Sequence, residues 1–368
     1  MSQARIPGLF WVVFVAASAV TVGSARYTLA HPEEDDFASF HRSGRALLDG
    51  NLAGLYHREL DAPGDEPFVR LPAYALLFLP LSRLSLPSAF WGWISFQLLI
   101  LGCCLFWAQH WIGWQAAALS WFFAPMLLGI THGQDCALIL GALVAAYVLH
   151  EQDRPLLAGI ALAAGFVKFH LFLLWPAALI VQRRWRMLAG LAVAGAAGAA
   201  ASIALVGVQG MEDYGKLLVS GRLSAATPDL RQQYGVAGLW ANLHWAPGAS
   251  LYALIAGIAG LSLYAIGRRG LRALFVVAPL SSLAIAPHAL YYDPAILLLS
   301  LWLALPQPSR SRYLLLGSAL IVTLVLSAEA MPPPFPSFGS AGLLVFTVLA
   351  GFGALRGHFP DLSKASGV

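Results

Sequence analysis

Long apolar runs separated by short polar breaks set the pattern of this chain. Runs at 8–29, 88–109, 112–130, 136–150, 187–208, 249–267, 273–290, 294–306, 313–330 and 340–355 read as membrane helices. The first follows a single arginine, Arg5, and contains Gly23-Ser24-Ala25, a small-residue trio of the sort cleaved in signal peptides. Its length favours a retained helix. A shorter run at 71–86 opens on Leu71-Pro72 and closes near Arg83 and Pro87, and it reads as re-entrant. Two short pieces, 155–167 and 169–182, meet at Lys168. Residues 209–247 form a long polar loop. Counted this way, the chain predicts about twelve spans in an all-α, polytopic membrane bundle.

The first loop, residues 30–70, is strongly acidic, with nine carboxylates against four arginines. Its opening places Glu33, Glu34, Asp35 and Asp36 in a row. Phe37, Phe40, Leu47 and Leu48 then recur at near-helical spacing, and Gly50 supplies a stop. The spacing predicts an amphipathic helix over 36–49, lying on the membrane surface.

Composition places the protein in the membrane class. It is 59% hydrophobic and 11% charged, where soluble domains carry about 25% charged residues. Mean hydropathy is +0.71. The net charge of +4 comes with no basic stripe, so nucleic acid is not an expected partner. Cys103, Cys104 and Cys136 all lie in apolar runs and form neither a disulfide framework nor a metal-binding spacing, so packing is their expected role. A divalent metal is left open. One membrane unit, 1–368, is expected rather than two soluble domains.

Charge also orients the spans. With a cytoplasmic amino terminus and a re-entrant 71–86, Arg183, Arg184 and Arg186 fall inside, as do Arg268, Arg269, Arg272, Arg310, Arg312 and Arg356. The acidic loop then faces outward. So do Gly133-Gln134-Asp135, Lys168 with His170, the loop around Arg231, and the stretch from Pro287-His288 to Asp293. Ionisable residues within membrane segments are costly and usually face a cavity. Their gathering on one side points to a site there.

Each of these residues has a chemical and a structural reading. Asp35 and Asp36 are either solvated loop acids or a base that accepts a proton from an attacking hydroxyl. Lys168 is either a point charge for a phosphate oxygen or a lysine snorkelling from a helix end. His170 either joins it at the phosphate or packs. His288, beside the helix-breaking Pro287, is a donor to a phosphate or a sugar hydroxyl. Asp293, before Pro294, reads better as a helix cap. Gln134 and Asp135 either cap a helix or bind a hydroxyl-rich ligand. Arg70, Arg222 and Arg231 face outward against the usual bias, where an anionic headgroup would suit them. No phosphate-binding glycine loop, dinucleotide fingerprint or zinc motif is present in the sequence, so a nucleotide donor is not indicated.

Taken in order, these residues resemble glycosyltransferase family 87, the polyprenol-phosphate-mannose-dependent α-mannosyltransferase-like membrane proteins with a GT-C fold. The resemblance rests on Asp36-Phe37 with Phe40, then Gly50 and Leu55-Tyr56. It continues through Pro67-Phe68-Val69, Pro72-Ala73-Tyr74-Ala75-Leu76-Leu77 and Pro80-Leu81, and then Gly133-Gln134. Ala158-Gly159 through Lys168, Arg183-Arg184-Trp185-Arg186, and Pro287-His288 to Tyr292-Asp293 complete it. The family's pattern departs here at Arg70-Leu71-Pro72, at Asp135 and at Phe169. The resemblance covers most of residues 1–300, leaving 301–368 as carboxy-terminal membrane helices.

The resemblance implies sugar transfer from a polyprenyl-phosphate donor to a lipid or glycan acceptor at the outer face of the cytoplasmic membrane. It implies Asp36, with Asp35 as its neighbour, as catalytic base. Lys168, His288, His170 and Arg231 are assigned to the donor phosphate, and Gln134, Asp135, Arg70 and Tyr292 to sugar or acceptor. Two rival classes stand beside this reading. A transporter or lipid flippase would also use broken helices and buried charge, but no internal repeat is found and the polar residues gather at one face. A non-catalytic subunit of an envelope-synthesis complex is the other.

Overall fold

The computed structural model describes residues 36–51, 55–56, 68–219, 233–304 and 335–355, together with Arg26, Leu29 and Ala30. The described residues are helical and contain no strand. Among the described residues, four helices are long and apolar enough to cross a membrane: α2 (Leu86–Ile112), the stretch Pro155–Phe172, α8 (Trp185–Val219) and α10 (Ala249–Gly267). A fifth span is counted if the bent pair α3 (Trp114–Ser120) and α4 (Ala124–Thr131) is one crossing. Cys136–Glu151 (α5), Leu271–Ile285 (α11) and Asp293–Ala304 are apolar but shorter. Apart from Arg26 and Leu29, two of the expected spans, 8–29 and 313–330, lie outside the described residues, as do Asp35, Arg222 and Arg231.

Amphipathic helix α1 (Asp36–Leu48) forms where the spacing predicts it, but its apolar face is not given over to a lipid surface. Phe37 and Phe40 are almost fully buried, and they sit among Phe78, Phe90, Trp93 and Tyr74 at ring separations of 4.9–6.4 Å. At Gly44 a side chain would run into Ser82, whose hydroxyl donates to the His41 carbonyl at 2.8 Å. Helix α1 is therefore docked on protein. The partner surface is the run 71–86, which forms two 3₁₀ helices, Pro72–Phe78 and Leu81–Arg83, neither long enough to span.

The apolar run expected as a single span at 112–130 bends by 44° between α3 and α4. Pro125, in the first turn of α4, lacks the N–H that would continue the ladder from α3. Helix α6 (Pro155–Ala163) gives way to 3₁₀ turns over Ala164–Phe172, with a break at Lys168 (φ −112°, ψ 67°), before α7 (Trp175–Val181) resumes. Helix α8 runs past the expected end of its span, to Val219, across a break at Gly207 (φ 70°).

At the centre stands α11, largely apolar and buried from Leu271 through Ala284, its buried Arg272 donating to the Leu303 carbonyl at 2.9 Å. It packs on α10, on α12 (Leu297–Ala304), on α13 (Phe335–Leu355) and on the turns around Lys168. Short α9 (Val236–Asn242) packs beside α13. Helices α6 and α8 approach closely because a glycine lies on each side: a methyl at Gly159 would strike the Met187 carbonyl, and one at Gly190 the Leu156 carbonyl.

Candidate active site

Four local breaks in the helical pattern carry polar side chains to one place. The first is the start of α1. Burial of Phe37 and Phe40 fixes the rotation of this helix, and Asp36 in its first turn is left half-exposed at the edge of the aromatic cluster. The second is the turn into α5. Gly133 takes φ +62°, its carbonyl accepts from the Trp93 indole at 2.8 Å, and any side chain there would strike Phe37. The third is the break at Lys168. The fourth is the segment after Ala286, where Pro287 ends α11 and residues 290–293 turn back on themselves.

The turn into α5 shows how Asp135 becomes available. Gln97, on α2, accepts from the N–H groups of Ala137 and Leu138 at 2.9 and 3.2 Å. It satisfies the helix start that Asp135 was one alternative to cap. Asp135 instead receives the Arg70 guanidinium at 3.1 Å, the Tyr74 hydroxyl at 3.3 Å and the Lys168 ammonium at 3.6 Å. Lys168 makes its shorter contact, 2.8 Å, with Asp293. The other oxygen of Asp293 accepts from Leu290 N–H at 2.8 Å.

The expectation that Asp293 caps the following helix is thus corrected. It makes no cap bond at the start of Asp293–Ile296, and its carboxylate turns back to its own loop and to Lys168. Arg70, Asp135, Lys168 and Asp293 form a linear chain of two cations and two carboxylates, all buried. Their charges cancel, which is the condition under which such groups survive in an apolar interior.

Tyr292 connects this chain to Asp36. Its ring lies 4.4 Å beneath the Lys168 ammonium, and its hydroxyl donates to Asp36 Oδ2 at 3.3 Å, across 256 positions of sequence. Cys136 packs beneath it, its Sγ 3.6 Å from the Tyr292 carbonyl. His170 and His288 face each other edge to face at 5.8 Å, and the buried His170 Nε2 has no hydrogen-bond partner. The buried Gln134 Oε1 likewise has none.

Of the residues singled out in the sequence, the structure therefore brings together Asp36, Arg70, Asp135, Lys168, His170, His288 and Tyr292. Gln134 is adjacent in the same turn. Sequence reasoning missed Tyr74, which shares Asp135 with Arg70, and Gln97 and Trp93, which hold the turn. Gln97, a polar residue amid the apolar middle of α2, was the available signal. Among the described residues no group of three or more His, Cys, Asp or Glu is arranged to hold a metal.

A model of glycosyltransferase family 87 matches residues 70–328, more than half of the chain. The match begins at Arg70, so it takes in the buried charge chain, both histidines and Tyr292, while Asp36 precedes it. No curated protein matches the chain, and no solved structure does.

Proposed function

The chain belongs to glycosyltransferase family 87 and is a membrane glycosyltransferase, and from that premise we propose that it moves a sugar from a polyprenyl-phosphate donor to a lipid or glycan acceptor. In this reading the bundle is multi-pass and GT-C-like. It lies in the cytoplasmic membrane, with its active site at the extracytoplasmic face. An acceptor hydroxyl oxygen attacks the anomeric carbon and gives its proton to Asp36. The bond from the anomeric carbon to the phosphate oxygen breaks, and its electron pair leaves with the lipid phosphate. A phosphate leaving group needs little protonation, so electrostatic and hydrogen-bond stabilisation suffices.

The observation that carries the proposal is the meeting of Asp36 with the 286–293 segment: Tyr292 bonds Asp36, and His288 lies close enough to feel its charge. In this reading Asp36 is the general base and His288 the imidazole beside it, which meets the donor phosphate as an N–H donor. Lys168 takes a different part from the one its sequence context implies. It already bonds one carboxylate and lies near a second, so the donor phosphate is assigned to His288 and His170, and Lys168 to holding the segment in place.

The test is transfer of label by purified protein in lipid, from a panel of radiolabelled polyprenyl-phosphate sugars, with an envelope-lipid extract as acceptor. Asp36→Asn is expected to lower transfer by about 10²–10⁴-fold while the protein remains folded. Full activity in Asp36→Asn would end the assignment of the base.

A further inference from the structure

We infer that Tyr292 is a positioning residue that orients the Asp36 carboxylate, and that the buried charge chain exists in part to hold the Tyr292 ring where it can do so. The inference rests on the reading of Asp36 as the base and goes beyond it. The resemblance read in the sequence assigns Tyr292 to sugar or acceptor binding. In the structure Tyr292 is 6% exposed, its hydroxyl is engaged by Asp36, and its ring is covered by Lys168.

Each constraint on the ring comes from a separate segment. Lys168 lies over its face at 4.4 Å and is itself fixed between Asp293 at 2.8 Å and Asp135 at 3.6 Å. Asp293, the next residue in the chain, is tied to Leu290 N–H, which closes the turn that carries Tyr292. Gly129 leaves room for the Tyr292 Cβ and the Cys136 side chain, both within reach of any side chain added there. A tyrosine with this little freedom delivers its O–H along one direction. A carboxylate that accepts that O–H on Oδ2 turns its other oxygen to a defined place, which is what a base needs in order to meet one hydroxyl of an acceptor. The reacting proton never passes through Tyr292. It acts through Asp36.

Tyr292→Phe tests this, because it keeps the ring under Lys168 and removes only the hydroxyl. Two readouts are taken on the full chain in lipid. The first is infrared spectroscopy with isotope-labelled aspartate. The carboxylate stretch of Asp36, identified by its loss in Asp36→Asn, is expected to change frequency in Tyr292→Phe. Tyr292→Phe is expected to cause no such change in the Asp36→Asn background. An unchanged Asp36 band overturns the inference.

The second readout is transfer from radiolabelled polyprenyl-phosphate mannose, or whichever sugar of the panel is accepted. Tyr292→Phe is expected to lower kcat about tenfold with KM for the donor unchanged. A raised KM at unchanged kcat makes Tyr292 a substrate-binding residue and overturns the inference, leaving Asp36 as base. Full transfer by Asp36→Asn removes the base, and with it any catalytic meaning for Tyr292, even where the infrared contact is found. The two failures are thereby told apart.

Discussion

Two clusters sit side by side at the candidate site, and they spend their polar groups differently. In the chain Arg70–Asp135–Lys168–Asp293, each charged group faces an opposite one at 2.8–3.6 Å and is shut away from solvent. In the cluster of Asp36, His170 and His288, all three residues are partly exposed, and the buried His170 Nε2 has no hydrogen-bond partner. The first cluster has little capacity left for a ligand. The second has some to offer. A charge in a membrane segment marks a functional region, but the residue that carries the charge can be the one that builds the region, leaving less buried neighbours for the proposed substrate contacts.

Breaking the first cluster should give the largest effect. Lys168→Met leaves Asp293 and Asp135 buried without their shared cation, and a loss of about 3–5 kcal/mol is expected for removing one partner of a buried pair. Thermal unfolding in detergent would read it. The double variant Lys168→Met with Asp293→Leu leaves the balanced pair Arg70–Asp135, and it should recover much of that stability. Its transfer activity should stay low, because the loop carrying Tyr292 has lost its anchor. Restored stability with restored activity would mean the charge chain does nothing for the chemistry.

The second cluster should respond the other way round. His288→Gln removes a proposed donor to the leaving phosphate, and about a 10²-fold loss of kcat is expected, by comparison with the loss of one oxyanion donor elsewhere. Stability should change by no more than about 0.5 kcal/mol, since the residue is only partly buried. Unchanged kcat with a large fall in melting temperature would move His288 into the scaffold.

Much of this division was out of reach of the sequence, for reasons that differ from residue to residue. The break at Lys168 was legible, because a charged residue within an apolar run cannot continue as an ordinary lipid-facing helix. Helix α10 spans the expected 249–267, a run with no internal proline. The bend before Pro125 was legible in principle but was overridden by the length of the apolar run. The pairing of Lys168 with Asp293 was not legible, since 125 positions separate them and nothing local to Asp293-Pro294 distinguishes an ion-pair partner from a cap. The apolar face of α1 carries the same ambiguity: Phe37 and Phe40 at helical spacing fit a bilayer surface and a protein core equally well, and only the aromatic partners at 78, 90 and 93 decide it.

The smallest expected effect sharpens the boundary between scaffold and chemistry. Gly159, on the helix that leads into the Lys168 break, faces the Met187 carbonyl across the contact with α8. Gly159→Ala forces the two backbones apart, and a destabilisation of about 1–3 kcal/mol is expected from overpacking. The displacement is backbone against backbone, so a rotamer change cannot relieve it. The Lys168 ammonium is held by Asp293 and Asp135, both outside α6, and these contacts should hold the site in register while the helix shifts. The expected result is a lower melting temperature with kcat within about twofold of the parent. A tenfold fall in kcat at a temperature where the variant is folded would show that the glycine contact sets the position of Lys168, and that the charge chain takes its geometry from helix packing instead of imposing it.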